Sequence, residues 1–301
     1  MDAFFDADDA QWLLQAGLYF INAVLLFFLG RLYFNKRHRN IDVSAELVKK
    51  DNFAFAIVNV GYYVALLIAI GGTLTGTTYG LQSDLLQISV FGILSIILLN
   101  ASSWINDKFI LRQFRVRREL FRDENAGTGV VEAANYIASG IIIYGAVSGD
   151  AIDLFPEMNY GFLLSGALSM LVFWGVGQLL LIITALIYNA MLPYNVHDEI
   201  EKQNVAAGIG FAGALIALGV LIGHGTSGDF EGWSDHFLKI FFEVVIGFIL
   251  LPLARWIADW ILLPGEKLTH EIAHQEFPNK GAGLVEAFAY IGGAVLISWC
   301  L

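Results

Sequence analysis

GTGVVEAANYI at residues 127–137 and GAGLVEAFAYI at residues 281–291 are two renderings of one segment. Each opens on a pair of glycines one residue apart, carries glutamate at the same place and closes on Tyr-Ile. The likeness extends upstream, where Trp104-Ile105-Asn106-Asp107 faces Trp256-Ile257-Ala258-Asp259. Further back, 52–76 aligns with 204–228 at an offset of 152 (204 minus 52). Identical pairs there include Asn52/Asn204, Ala54/Ala206, Gly61/Gly213, Ala65/Ala217, Ile70/Ile222 and Gly76/Gly228. Self-similarity at a fixed period marks a repeat architecture. The chain divides into copies at 1–158 and 159–301.

What the copies are made of follows from composition. The chain is 57% hydrophobic and only 15% charged, with a mean hydropathy of +0.64. Soluble domains run at about half apolar and about a quarter charged. The excess lies in long runs such as 91–99 and 241–253, apolar on every helical face, which read as bilayer spans rather than amphipathic stripes. Eight spans are read, at 12–34, 53–76, 85–111, 128–148, 160–192, 205–223, 237–263 and 281–300. The first, third, fifth and seventh exceed the ~20 residues a bilayer needs, so they tilt or project into water. The fold class is all-α integral membrane.

Charge gives the orientation. Arg31, Lys36, Arg37, Arg39, Lys49 and Lys50 fall between the first two spans; Lys108, Arg112, Arg115, Arg117, Arg118 and Arg122 fall between the third and fourth. Lys202, Arg255, Lys267 and Lys280 lie in or around the equivalent loops of the second copy, and only Lys239 falls toward the other side. By the positive-inside rule those loops are cytoplasmic and both termini face out. The opposite side carries Asp2, Asp6, Asp8, Asp9, Asp84, Asp150, Asp153, Glu157, Asp229, Glu231 and Asp235, which accounts for most of the net charge of -11. This is ordinary sidedness, or an electronegative mouth that concentrates cations. The acidic N-terminus lacks the basic region of a signal peptide, so the first span is expected to be retained. Cys300 is the only cysteine, so no intrachain disulfide forms. No basic tract interleaved with aromatics reads as a nucleic-acid surface.

Four spans per copy is an even number, so both copies enter the membrane from the same side. Their relation is the parallel, not the inverted, class of duplication. The stretch at 192–222, LPYNVHDEIEKQNVAAGIGFAGALIALGVLI, is similar to the entry into the second helix of the YjfL-like bacterial inner-membrane proteins, the family of domain of unknown function 350. Its Asn-x-Ala-Ala at 204–207 is reduced to Asn52-Phe53-Ala54-Phe55 in the first copy. The resemblance covers essentially the whole chain. It implies two tandem copies of a four-span unit, a bacterial inner-membrane location and an envelope-stress context, and no settled activity.

Depth singles out one constellation per copy. Asn52 opens the second span, Asp107 closes the third, and Glu132 sits roughly 7 Å into the fourth. The second copy repeats the set as Asn204, Asp259 and Glu286. A carboxylate in hydrocarbon costs at least ~2.5 kcal/mol, so both glutamates face protein or water. One reading is a pair of proton- or cation-binding sites; the other is structural, with each glutamate accepting bonds from helix N-terminal N–H groups or from Asn52 and Asn204. Glu243 has no counterpart, since Phe91 stands in its place, and an i,i+4 pair with Lys239 explains it.

His270-Glu271-Ile272-Ala273-His274 spells H-E-x-x-H, a pattern that on a helix sets two imidazoles on one face for zinc. No third ligand has metalloprotease spacing, and the first copy has Arg118-Glu119-Leu120-Phe121-Arg122 in the same stretch. The match is expected to be coincidental, so no cofactor and no enzyme activity are expected. The glycines of spans two and six point to close helix packing. Three functional classes remain: a proton or small-cation channel or transporter, a scaffold whose arginine-rich loop 108–122 docks anionic lipid or a cytoplasmic stress-response partner, and a zinc hydrolase. A homo-oligomer fits any of them.

Overall fold

A computed structural model describes residues 7–149, 154–155, 157–229, 232–262 and 265–301. Asp2, Asp6, Asp150, Asp153, Glu231, Leu263 and Pro264 lie outside the described residues, as do the side chains of Asp8 and Asp9. The described chain is helical throughout: α1 (Ala7–Arg37), α2 (Phe53–Leu74), α3 (Leu81–Ile105), α4 (Val116–Phe121), α5 (Ala126–Val147), α6 (Gly161–Met191), α7 (Val196–Glu201), α8 (Val205–Thr226), α9 (Trp233–Leu262), α10 (Leu268–Ala273) and α11 (Lys280–Cys300). A π-helical turn, Asn106–Ile110, prolongs α3. Eight of these helices are long and apolar enough to cross a bilayer, within a few residues of the expected spans. The protein is an all-α, multi-pass membrane protein.

The architecture is a row. α2, α5, α8 and α11 pack side by side in that order, and α1, α3, α6 and α9 pack around them, α3 against α2 and α5, α6 against α5 and α8, α9 against α8 and α11. Lipid supplies no hydrophobic drive between helices, so close backbone approach must hold them. Small residues provide it at repeated places. A Cβ on Gly129 would stand 2.5 Å from the Ala54 carbonyl oxygen, on Gly208 2.7 Å from that of Gly127, and on Gly283 2.6 Å from that of Ala206. Four residues past its cap, each later helix of the row thus touches the preceding helix two residues past its own.

Those caps form a second series. Asn52, Asn125, Asn204 and Asn279 cap α2, α5, α8 and α11, their side-chain oxygens accepting backbone N–H groups of the first turn. Each amide also donates to a glutamate in the preceding connection: Glu46 (3.1 Å), Glu119 (2.9 Å), Glu199 (3.0 Å) and Glu271 (2.9 Å). The first three reach one unit ahead as well, to the carbonyls of Leu120 (2.9 Å), Ile200 (2.6 Å) and Ile272 (2.8 Å). Each four-span copy is therefore itself two two-span units, and four units are riveted in line at their basic end.

The ends of the row differ from its middle. Val60 and Leu67 stand on α2 where α5 has Ala133 and Gly140, and Phe288 stands on α11 where α8 has Gly213. All three of these larger side chains are exposed. Terminal repeats with an altered outer face are expected wherever a stack stops.

Candidate functional site

Glu132 and Glu286 hold equivalent places, two helical turns beyond the caps Asn125 and Asn279, and both are buried. Their surroundings are not equivalent. Glu132 accepts hydrogen bonds from the Ser103 hydroxyl at 2.5 Å and from the Asn106 amide. Glu286 accepts from the Arg255 guanidinium at 2.6 Å and from the Tyr188 hydroxyl at 3.4 Å. At the repeat offset, Ser103 corresponds to Arg255 and Asn106 to Ala258. One serine-to-arginine exchange between the copies turns a neutral polar site into an ion pair.

Around Glu132 no ion pair forms among the described residues. The Arg37 guanidinium stops one hydroxyl short, donating to the Asn100 carbonyl (2.6 Å) and to Ser103 Oγ (3.0 Å). A cavity of ≈ 200 Å³ leads in from the basic end, lined by Arg37, His38, Asp107, Arg117, Glu132 and Tyr136 among others. At its mouth burial pushes the His38 imidazole below its ordinary value, so this ring adds no full positive charge near neutral pH. Asn100, Asn106, Asp107 and Asn135 each keep a buried side-chain oxygen without a donor. All four are acceptors, the atoms that bind a cation or a donor-rich guest.

The polar surface continues deeper. Glu132, Asn135 and Ser139 share one face of α5 at i, i+3 and i+7. Asn135 donates to the Ser102 carbonyl (3.3 Å), Trp174 of α6 to the Ser102 hydroxyl (2.9 Å), and Gln178 of α6 to the Ser139 hydroxyl (3.1 Å). Beyond Ser139 the column stops at Ile142 and Ile143, both fully buried. A Cβ on Gly177 of α6 would stand 2.7 Å from Ile142, so the plug is tight. Past it, Ala146 and Val147 line a second cavity, of ≈ 490 Å³, at the acidic end.

The expected triplets are only partly assembled. Asp107 shares the cavity with Glu132, but Asn52 and Asn204 do not meet the glutamates; they are caps bonded to Glu46 and Glu199. Asn52 reaches Leu120, just before α5, and so lies at the level of Asn125, about 10 Å beneath Glu132 along the helix. Asp259 accepts from the Leu268 backbone N–H at 2.8 Å and closes the turn into α10, away from Glu286. Burial alone would push the Glu199 carboxyl up; hydrogen bonds from Asn204 and Lys202 outweigh it and hold that carboxyl below the usual range.

The arginine-rich connection keeps its charge in solvent. Arg112, Arg115, Arg117, Arg118 and Arg122 are exposed, and only Arg118 forms an ion pair among the described residues, with Asp123 at 3.1 Å. Lys108 lies over the Trp104 and Phe109 rings, at 4.8 and 5.5 Å from their centroids.

Two further sequence features have a defined local structure, and the second corrects an expected pairing. In the H-E-x-x-H segment the helix ends at Ala273, and His274 leaves helical geometry. Glu271 is buried and holds the amides of Gln275 and Asn279, so it is the fourth rivet rather than a free base. The histidine and carboxylate atoms that do come within 4.8 Å of one another belong to Glu266, His270 and Glu271, without His274. Glu243 pairs with His224 at 2.9 Å, while Lys239 donates to the Ser227 carbonyl.

The capping asparagines Asn125 and Asn279 and the glutamates bonded to all four caps escape a reading by depth. Their signal is an asparagine just before a glycine- or alanine-rich helix, with a glutamate five to eight residues upstream.

Fold and site define a multi-pass helical membrane protein built from tandem repeats. The chain belongs to the family described as Domain of Unknown Function (DUF350), which matches it twice, over residues 9–147 and 162–301. It is 22% identical over 260 residues to a UPF0719 transmembrane protein of Aquifex aeolicus (strain VF5), an alignment covering 86% of this chain and 89% of that one. No solved structure matches. Neither comparison indicates an enzyme family.

Proposed function

We propose that the protein moves protons or small cations across a bacterial inner membrane, through its first half. The observation that carries this is the asymmetry of two equivalent buried glutamates. Glu286 is ion-paired with Arg255, whereas Glu132 has no ion-pair partner among the described residues and faces a cavity open to the basic end. A buried carboxylate is costly unless paired, and inside a membrane such a group marks an ion or proton path more often than an anchor. Placing the basic end in the cytoplasm makes the cavity an inward-facing entry. The plug at Ile142 and Ile143 then reads as a closed hydrophobic gate.

Full-length protein in proteoliposomes loaded with a pH-sensitive dye, with Na⁺ and K⁺ gradients run separately, tests this. Flux is expected in the wild type, to be lost in Glu132→Gln. No flux above empty vesicles, or flux untouched by that variant, overturns the proposal.

Arg112, Arg115, Arg117 and Arg122, exposed and without an ion-pair partner among the described residues, favour a second reading, a scaffold docked on anionic lipid or on an acidic stress-response partner. A scaffold has no selective conductance, so the same assay separates the two.

A further inference from the structure

A second cavity lies at the acidic end, far from Glu132, and has its own chemistry. It measures ≈ 490 Å³ and opens between α1, α2, α3, α5 and α6. That falls in the ~300–1,000 Å³ range of small-molecule sites. Among the described lining residues its one carboxylate is Asp84, 8% exposed, which accepts the Tyr19 hydroxyl at 2.6 Å and the Tyr79 backbone N–H at 2.8 Å. Both bonds are to neutral donors, and no basic side chain pairs with Asp84 among the described residues.

The hydroxyls in the wall point the same way. Thr73 donates its proton to the Ile70 carbonyl (2.7 Å), Thr75 to that of Gly72 (2.9 Å) and Ser169 to that of Gly166 (3.0 Å). The Tyr19 hydroxyl donates its hydrogen bond to Asp84. With those protons committed, each of these oxygens offers the cavity lone pairs only. Among the described residues no lysine or arginine lines the cavity. The rest of the wall combines polar side chains, Thr77, Thr78, Ser83 and Gln87 among them, with apolar and aromatic ones, of which Phe91 and Phe162 are able to face a cation.

An anion finds no charged donor among the described lining residues. A ligand that brings a positive charge, N–H donors and an apolar body finds the Asp84 carboxylate, the hydroxyl lone pairs and the aromatic rings to match them. We propose that this cavity is a binding site for a small alkylammonium cation, held by Asp84 with its carbon chain against Phe91 and Phe162. The inference stands apart from the flux through Glu132, since binding is read with no gradient present.

The test is calorimetric titration of the full chain in nanodiscs with n-butylammonium, n-butanol and ammonium chloride. Saturable binding of n-butylammonium is expected, with n-butanol and ammonium each weaker. Asp84→Asn should weaken it by about ten- to a hundredfold, the worth of a hydrogen bond to a charged group. Because Asp84 also ties down the Tyr79 backbone, Thr73→Phe serves as the second variant; it fills the cavity from the half-exposed end of α2 and should abolish binding while the protein remains folded. No saturable binding, equal affinity for n-butanol, or binding unchanged in both variants overturns the assignment.

Discussion

Two residues at equivalent positions need not carry equal energies, and Glu132 and Glu286 show how far they diverge. Removing one partner of a buried ion pair strands the other charge, at a cost of about 3–5 kcal/mol. Glu286→Gln leaves the half-buried Arg255 facing an amide, and a larger loss of thermal stability in detergent than for Glu132→Gln is expected. Glu132→Gln replaces one acceptor among neutral donors and should cost only about 1 kcal/mol. Near-equal melting shifts in the two variants would contradict the division of labour between the copies. A second residue-scale consequence concerns pH. Burial, with help from Arg112, pushes the His197 imidazole below its ordinary 6.5, and burial does the same to His38. Both rings lie outside the spans. The unfolded chain therefore takes up protons that the folded chain resists. The stability from these neutral rings is complete above about pH 6.5 and is lost as pH falls through that value toward the folded ones. Melting temperature against pH should slope downward below about 6.5, and the His38→Gln, His197→Gln double variant should flatten that slope.

Helix contacts in the row rest on single absent methyl groups, which makes them sensitive. A side chain on Gly208 would meet the Gly127 backbone, which cannot move aside as a flexible chain end would. Gly208→Val should destabilise by about 1–3 kcal/mol, the usual cost of overpacking, read as a lowered melting temperature in detergent. At the plug the opposite change is informative. Ile142→Ser removes apolar bulk between Ser139 and the acidic-end cavity, and in vesicles it should raise flux severalfold if the column beneath conducts. Unchanged flux there would remove the plug from the mechanism while leaving Glu132 in it. Element positions were legible in the sequence because apolar runs of this length have no other use. The partners of Glu132 were not, because depth along one helix says nothing of the neighbour's register. Ser103 enters from the last turn of α3 and Asn106 from the π-helical turn that prolongs it. The offset of 152 already paired Ser103 with Arg255, so the asymmetry was written in the alignment once the neighbour was known.

The whole molecule is a stack with two ends rather than a closed bundle. Its half-chain period was visible as shared identities, but the shorter two-span period was not. The four units have in common little more than a capping asparagine, a small-residue face and an upstream glutamate, too sparse a pattern to see before the caps are placed. The stack also explains why it stops. Asn279 holds Glu271 as its counterparts hold theirs, yet no carbonyl of a following unit receives its amide among the described residues. On the outer faces Val60, Leu67 and Phe288 stand where inner helices carry alanine or glycine. In hydrocarbon, association requires close backbone approach, and these side chains deny it to a second copy at either end. Replacing them with the inner residues, as Val60→Ala, Leu67→Gly and Phe288→Gly together, should convert both ends into interior-type faces. The triple variant is then expected to form end-to-end assemblies that grow with protein-to-detergent ratio in light scattering, while the wild type does not grow through these faces. A triple variant of unchanged mass, folded by its helical signal, would mean that the larger side chains are lipid-facing filler and that the riveted connections alone set the length of the row.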